Sequence, residues 1–200
     1  WRGGTPSGSP TALEGARTEP RIPPLPFCRI ATDPSGMQRP LLAPAKPPAV
    51  FDPTRTYRYS LYREWGDPGN KATFIMLNPS TADEVRLDPT VTRCCGYARR
   101  WGYGAIEVVN IFAYRSTDPK GLLAVADPVG EENDHYILAA VEDAALVVAA
   151  WGVHGALQDR GRIVQELLAD RCALTCLGTT KAGHPRHPLY LRADTLPGPF

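Results

Sequence analysis

Two short runs far apart in the chain carry side chains able to work on a polar ligand, Leu77-Asn78-Pro79-Ser80-Thr81 and Arg186-His187-Pro188-Leu189. An asparagine amide offers two donors and an acceptor, so Asn78 can hold a water or read a base edge; alternatively it closes an Asx-type turn with Thr81. His187 can transfer a proton or stabilise an anionic leaving group, since histidine is the side chain most easily tuned near neutral pH; a solvated loop histidine is the plainer alternative. Asp83 and Asp88 can serve as base or charge stabiliser. Both also suit helix starts, and for Asp88, followed by Pro89, capping is the favoured role. Ser80, Thr81, Tyr114, Arg115, Asp118, His154, Lys181, His184 and Arg186 complete a set suited to a polar, partly anionic ligand. Arg115 and Lys120 suit phosphate contacts, and Trp151-Gly152 reads as core packing with a backbone turn sooner than as a stacking platform.

The cysteines, Cys28, Cys94, Cys95, Cys172 and Cys176, are odd in number and lack a disulfide-framework spacing, which points to reduced thiols in a cytosolic setting. Cys172 and Cys176 with His184 and His187 form a conceivable metal set, but the two cysteines flank a predicted buried strand where zinc ligands favour turns, so no metal is expected. Neither a glycine-rich dinucleotide fingerprint nor a phosphate-loop lysine motif is present, so no nucleotide cofactor is expected.

The elements that must position these residues follow from periodicity. Tyr57–Trp65 alternates polar and apolar residues as a half-buried strand, Gly66-Asp67-Pro68-Gly69-Asn70 supplies a turn, and Ala72–Leu77 is a short, fully apolar strand ended by Asn78-Pro79. From Thr90, the residues Val91, Cys94, Cys95, Ala98 and Trp101 recur at helical spacing before Gly102 and Gly104. Further strands are expected over Ile106–Phe112, Ala145–Gly152 and Cys172–Leu177, with helices over Gly130–Ala145 and Arg162–Ala169 between them. Apolar strands alternating with helices predict a three-layer α/β/α domain: a mainly parallel four-stranded sheet plus an added antiparallel strand from Tyr57 to Trp65. Right-handed crossovers then bring the loops 78–88, 113–120, 151–155 and 178–191 to one sheet edge, where ligands of such folds bind.

Residues 1–50 hold eleven of the 21 prolines and no long apolar run, and read as a disordered or loosely draped tail ahead of a single domain over 51–200. The chain opens on Trp1, not Met, which points to upstream residues or an added segment. The tail carries six Lys/Arg against three Asp/Glu, leaving 16 against 18 in the domain. A net charge near −2 lowers the expectation of a duplex-DNA binder, so any nucleic-acid role must rest on a local patch. No stretch has the length of a membrane span and no signal sequence precedes the domain, so a soluble, cytoplasmic protein without a membrane partner is expected.

Several segments together resemble the DUF1643 family of bacterial and phage proteins. They are Tyr57–Trp65, Ile75–Asp83, Asp88-Pro89-Thr90 with Arg93, Trp101-Gly102-Tyr103, Val109–Arg115 with Asp118-Pro119, Asn133-Asp134, Trp151-Gly152 and Lys181–Leu191. The order of motifs is also similar to that of the uracil-DNA glycosylase superfamily. There, Leu77-Asn78-Pro79 would match the first motif, His187-Pro188-Leu189-Tyr190 the last, and Ala150–Gly155 a Trp-Gly stretch before the final strand. Met76 stands in place of that motif's glycine, and no serine follows His187-Pro188. This second resemblance implies a uracil-DNA glycosylase-like fold and a metal-independent N-glycosylase acting on a base in nucleic acid or a nucleotide. Asn78 would orient water and His187 would stabilise the leaving base, which in duplex DNA must first be extruded. Two alternatives stand beside it: a non-catalytic nucleotide or modified nucleic-acid binding module, and a small-molecule nucleoside N-glycosidase or transferase.

Overall fold

A computed structural model describes residues 46–200. The expected tail over 1–50 lies, as far as residue 45, outside the described residues. The five residues that follow do not continue it: Ala49 and Val50 enter a strand, and the Pro48 carbonyl accepts from the Tyr62 backbone N–H.

Seven strands form one mixed sheet. They are β1 (Ala49–Phe51), β2 (Arg58–Glu64), β3 (Lys71–Met76), β4 (Ala105–Asn110), β5 (Leu146–Ala149), β6 (Thr175–Cys176) and β7 (Gly198–Pro199), in the spatial order β1-β2-β4-β3-β5-β6-β7. The central four, β4, β3, β5 and β6, run parallel, while β2 pairs antiparallel with β4 as expected. Two short antiparallel strands, β1 and β7, extend the sheet beyond expectation at its two edges.

Three helices cover it: α1 (Pro89–Arg100), α2 (Asn133–Glu142) and α3 (Arg160–Leu168). Side chains alternate across a strand, so Phe74, Met76, Ile106 and Val108 pack with Val91, Cys94 and Ala98 of α1 on one face. Ile75, Val109 and Val147 pack with Ile137 and Val141 of α2 and Val164 and Leu168 of α3 on the other. The chain leaves β3 for β4 on one side, then returns across β3 to β5 on the other, which makes the carboxyl end of β3 the place where strand order reverses.

Several expected boundaries shift for local reasons. The helix expected from Gly130 begins at Asn133, because Gly130 has φ +86° and a Cβ there would meet the Tyr57 ring at 2.9 Å. The strand expected to Gly152 ends at Ala149, ahead of Gly152 at φ +74°. The last parallel strand shrinks from Cys172–Leu177 to Thr175–Cys176, where β5 and β7 offer partners. β2 is not half-buried: its first five residues are buried, since α2 packs on it and Arg58 and Arg63 reach the Ala82 and Asp83 carbonyls of the loop after β3.

Opposite the carboxyl ends of the parallel strands, Lys71 is buried between Glu107 and Asp143, each 2.5 Å from its ammonium group, and Lys46 reaches the same two acids. Burial pulls the Lys71 ammonium pKa down against the raising effect of these carboxylates. The quartet ties the segment before β1 to the sheet.

Candidate active site

A cleft of about 620 Å³ opens at the carboxyl ends of β3, β4 and β5, in the size range of small-ligand pockets. Asn78 enters it from the loop after β3, and Asn110 closes β4 at the position paired with Met76. Trp151 and His154 come from the loop after β5, and His187 and Tyr190 from the loop after β6. Asp88, Thr90 and Val91 bring in the first turn of α1, and Arg58 the start of β2.

Asn78 does not make the Asx-type turn to Thr81. Its Nδ2 donates to the Ser116 carbonyl at 2.8 Å and to the Pro79 carbonyl at 3.1 Å, clamping the loops after β3 and β4 together. With both amide protons engaged, the orientation of the amide is set and Oδ1 is left as an acceptor. His187 is held from the other side. The Leu189 backbone N–H donates to its Nδ1 at 3.3 Å, so a neutral ring must carry its proton on Nε2. Burial lowers the imidazole pKa against the opposing charge of Asp88, and this lowering favours the neutral ring.

The strap carrying His187 is fastened to α1. Arg93, Tyr97 and Arg100, spaced along one face of the helix, donate to the backbone carbonyls of Leu191, Arg192 and Ala193. The helix is itself started by Asp88, whose Oδ1 accepts from the Val91 N–H at 2.8 Å, with Pro89 at the first helical position. Capping is therefore the role observed for Asp88, on a residue that also lines the cleft.

The other expected site residues divide. Ser80, Trp151 and Arg186 line the cleft with Asn78, Asp88 and His187. Trp151 does so from a fully packed position: a Cβ on Gly155 would lie 2.1 Å from its ring, and its edge meets Phe200 at 5.7 Å between centroids. Asp83 lies outside the cleft lining, and its Oδ1 accepts from the Val85 and Arg86 N–H groups, which lowers its pKa. Pro79 contributes its carbonyl to the Asn78 clamp, while Thr81 is exposed beyond the lining. Arg115 folds back, one amine on the Arg55 carbonyl and its guanidinium 5.0 Å from the Phe51 ring. Tyr114 packs edge-on against Tyr57, Arg93 is spent on the strap, and Lys181 is exposed on the turn closed by Thr179 and Pro185. Among the described residues, no group of three or more His, Cys, Asp or Glu is placed to hold a metal, so Cys172, Cys176, His184 and His187 are not gathered.

Arg58 and Asn110 belong to the cleft and were missed. Both are almost fully buried, and Arg58 Nε and Asn110 Nδ2 have no hydrogen-bond partner. Asn110 had a readable signal, a lone polar residue near the end of an apolar strand. Arg58 had none, because in an alternating strand it reads as a solvent-side charge.

The family model described as Protein of unknown function (DUF1643) matches residues 58–189. The matched span begins at Arg58 and takes in Asn78, Asn110 and His187. No curated protein and no solved structure matches the chain.

Proposed function

The chain belongs to the DUF1643 family, and on that premise we propose that its cleft hydrolyses the N-glycosidic bond of a base in a nucleic-acid strand. The observation that carries this reading is the pairing, in one cleft, of an asparagine whose free amide atom is an acceptor with a half-buried histidine whose free ring atom is a donor. Asn78 Oδ1 accepts a hydrogen bond from the attacking water and aims its oxygen at the anomeric carbon. His187 donates from Nε2 to the oxygen of the base on which negative charge develops, and burial strengthens that bond. Neither step needs a proton removed by an enzyme group. Asn110, whose Nδ2 has no partner and which lines the same cleft, is suited to reading the base edge.

Charge distribution favours a polynucleotide over a free nucleoside. Arg86, Arg93, Arg99, Arg100, Lys181, Arg186 and Arg192 stand against only Asp88 and Asp194 in segments 85–104 and 178–200, which contain α1 and the His187 strap. The rest of 51–200 holds nine Lys/Arg against 16 Asp/Glu. Of these, Arg186 lines the cleft with Arg58, while Arg99 packs over Trp65 at the far end of α1; a cationic stretch on an otherwise acidic domain draws a polyanion.

The test is release of free base, resolved by chromatography, from single-stranded oligonucleotides carrying uracil, hypoxanthine or xanthine. Asn78→Ala and His187→Ala are each expected to lower the rate about 100-fold or more while the circular dichroism spectrum is unchanged. Parental rates in both variants would contradict the mechanism. Tight binding without release would favour the binding-module alternative.

A further inference from the structure

The buried cations of this domain are matched by carboxylates with one exception. Lys71 is paired with Glu107 and Asp143, and Arg160 with Asp134. Arg58 is as deeply buried, at 2% exposure, yet among the described residues no carboxylate lies within ion-pair distance of it. One terminal amine donates to the Ala82 carbonyl at 2.8 Å, and Nε donates to nothing. Asp88, the acid that shares the cleft, is committed through Oδ1 to capping α1. Asp88 and, less strongly, Asp83 attract its charge from beyond ion-pair distance, while Arg115 and Arg63 repel it. Burial lowers the Arg58 pKa to about 10, which leaves it charged at neutral pH. A buried charge with no carboxylate in contact is expensive, and this one lines the cleft where a ligand can supply the anion.

Hydrolysis of an N-glycosidic bond breaks the bond between the anomeric carbon and the base nitrogen. The electron pair stays on the base, the water oxygen bonds to the carbon, and the water's spare proton passes to solvent or, later, to the base. We propose that Arg58 is the counter-charge for the departing base anion, so the substrates are N-glycosides of bases that leave as anions, dioxopyrimidines and oxopurines. Aminopyrimidines and aminopurines, which leave after gaining a proton, are disfavoured beside a fixed cation. This assignment rests on the glycosidic reading above.

Equilibrium binding of free bases tests it without turnover. By titration calorimetry at neutral pH, 5-fluorouracil, whose N–H is more acidic than that of uracil, is expected to bind about 10-fold tighter than uracil, with cytosine weaker than both. Arg58→Met is expected to erase the preference for 5-fluorouracil without lowering the melting temperature, because an apolar side chain relieves an unpaired buried charge. Arg58→Lys keeps the charge and is expected to keep the preference, a readout that survives if the Met variant does not fold. Equal affinity for the three bases, an unchanged preference in Arg58→Met, or competition by inorganic phosphate with no base bound would each overturn the assignment. Arg58-dependent base binding with no base release from any N-glycoside would contradict the hydrolytic reading alone. Release without Arg58-dependent selectivity would contradict this inference alone.

Discussion

Protonation of His187 would turn its ring from a donor through Nε2 alone into a half-buried cation and would break the bond that Nδ1 accepts from Leu189. Burial opposes that change, so the imidazole pKa lies below its ordinary value of about 6.5. The sign of the consequence is fixed: kcat/KM should stay level as pH falls to the ordinary histidine range and decline only below it. Stability should follow the same direction. The unfolded histidine takes up its proton first, so this group lowers stability as pH falls from its ordinary pKa towards its depressed one. A kcat/KM profile checked against an NMR titration of His187 decides the matter, and an activity limb at or above pH 6.5 would contradict a neutral-donor role. At this scale the placement of Asn78 and His187 at the cleft was legible because each stands beside a proline in a polar loop after an apolar strand. Asp83 misled, since a carboxylate that closes a turn and one that performs catalysis look alike until its hydrogen bonds are known.

Elements place these side chains through few connections, and α1 is the most consequential. Its first turn reaches the cleft through Asp88, Thr90 and Val91, and its outer face grips the strap that carries His187. Loss of the Asp88 cap should therefore loosen helix and strap together. Asp88→Ala is expected to lower unfolding free energy by about 1 kcal/mol, whereas Asp88→Asn, which still accepts from the Val91 N–H, stays within a few tenths. Urea denaturation of the two variants measures the difference; equal losses would mean that the charge, not the cap, matters. Proline after an acid made this helix start readable from sequence. Other helix and strand ends were not: Gly130, at φ +86°, holds the chain out of the helix that begins at Asn133, and β6 is cut to two residues by the reach of its neighbours. The burial of β2 was hidden for a similar reason, because its polar residues are covered by a loop distant in sequence.

At the scale of the whole molecule, the near-balance of charge conceals a division. The cationic excess lies in α1 and the His187 strap, two segments that pack on each other, and the acidic excess lies in the remainder of the domain. A sum over the sequence cannot show this, since it is made when the chain folds segment 178–200 back against α1. The alternation of apolar strands and helices did predict the layered sheet with its parallel centre and the loops at one edge. The reversal of strand order beside β3 then puts Asn78, Asn110 and His187 around one cleft. The most direct test is to react a single-stranded oligonucleotide carrying uracil, hypoxanthine or xanthine with the protein in oxygen-18 water and to examine both products by mass spectrometry. The account predicts one heavy oxygen on the anomeric carbon of the sugar and an unlabelled free base; heavy oxygen in the base, or no base released from any of the three, would contradict it.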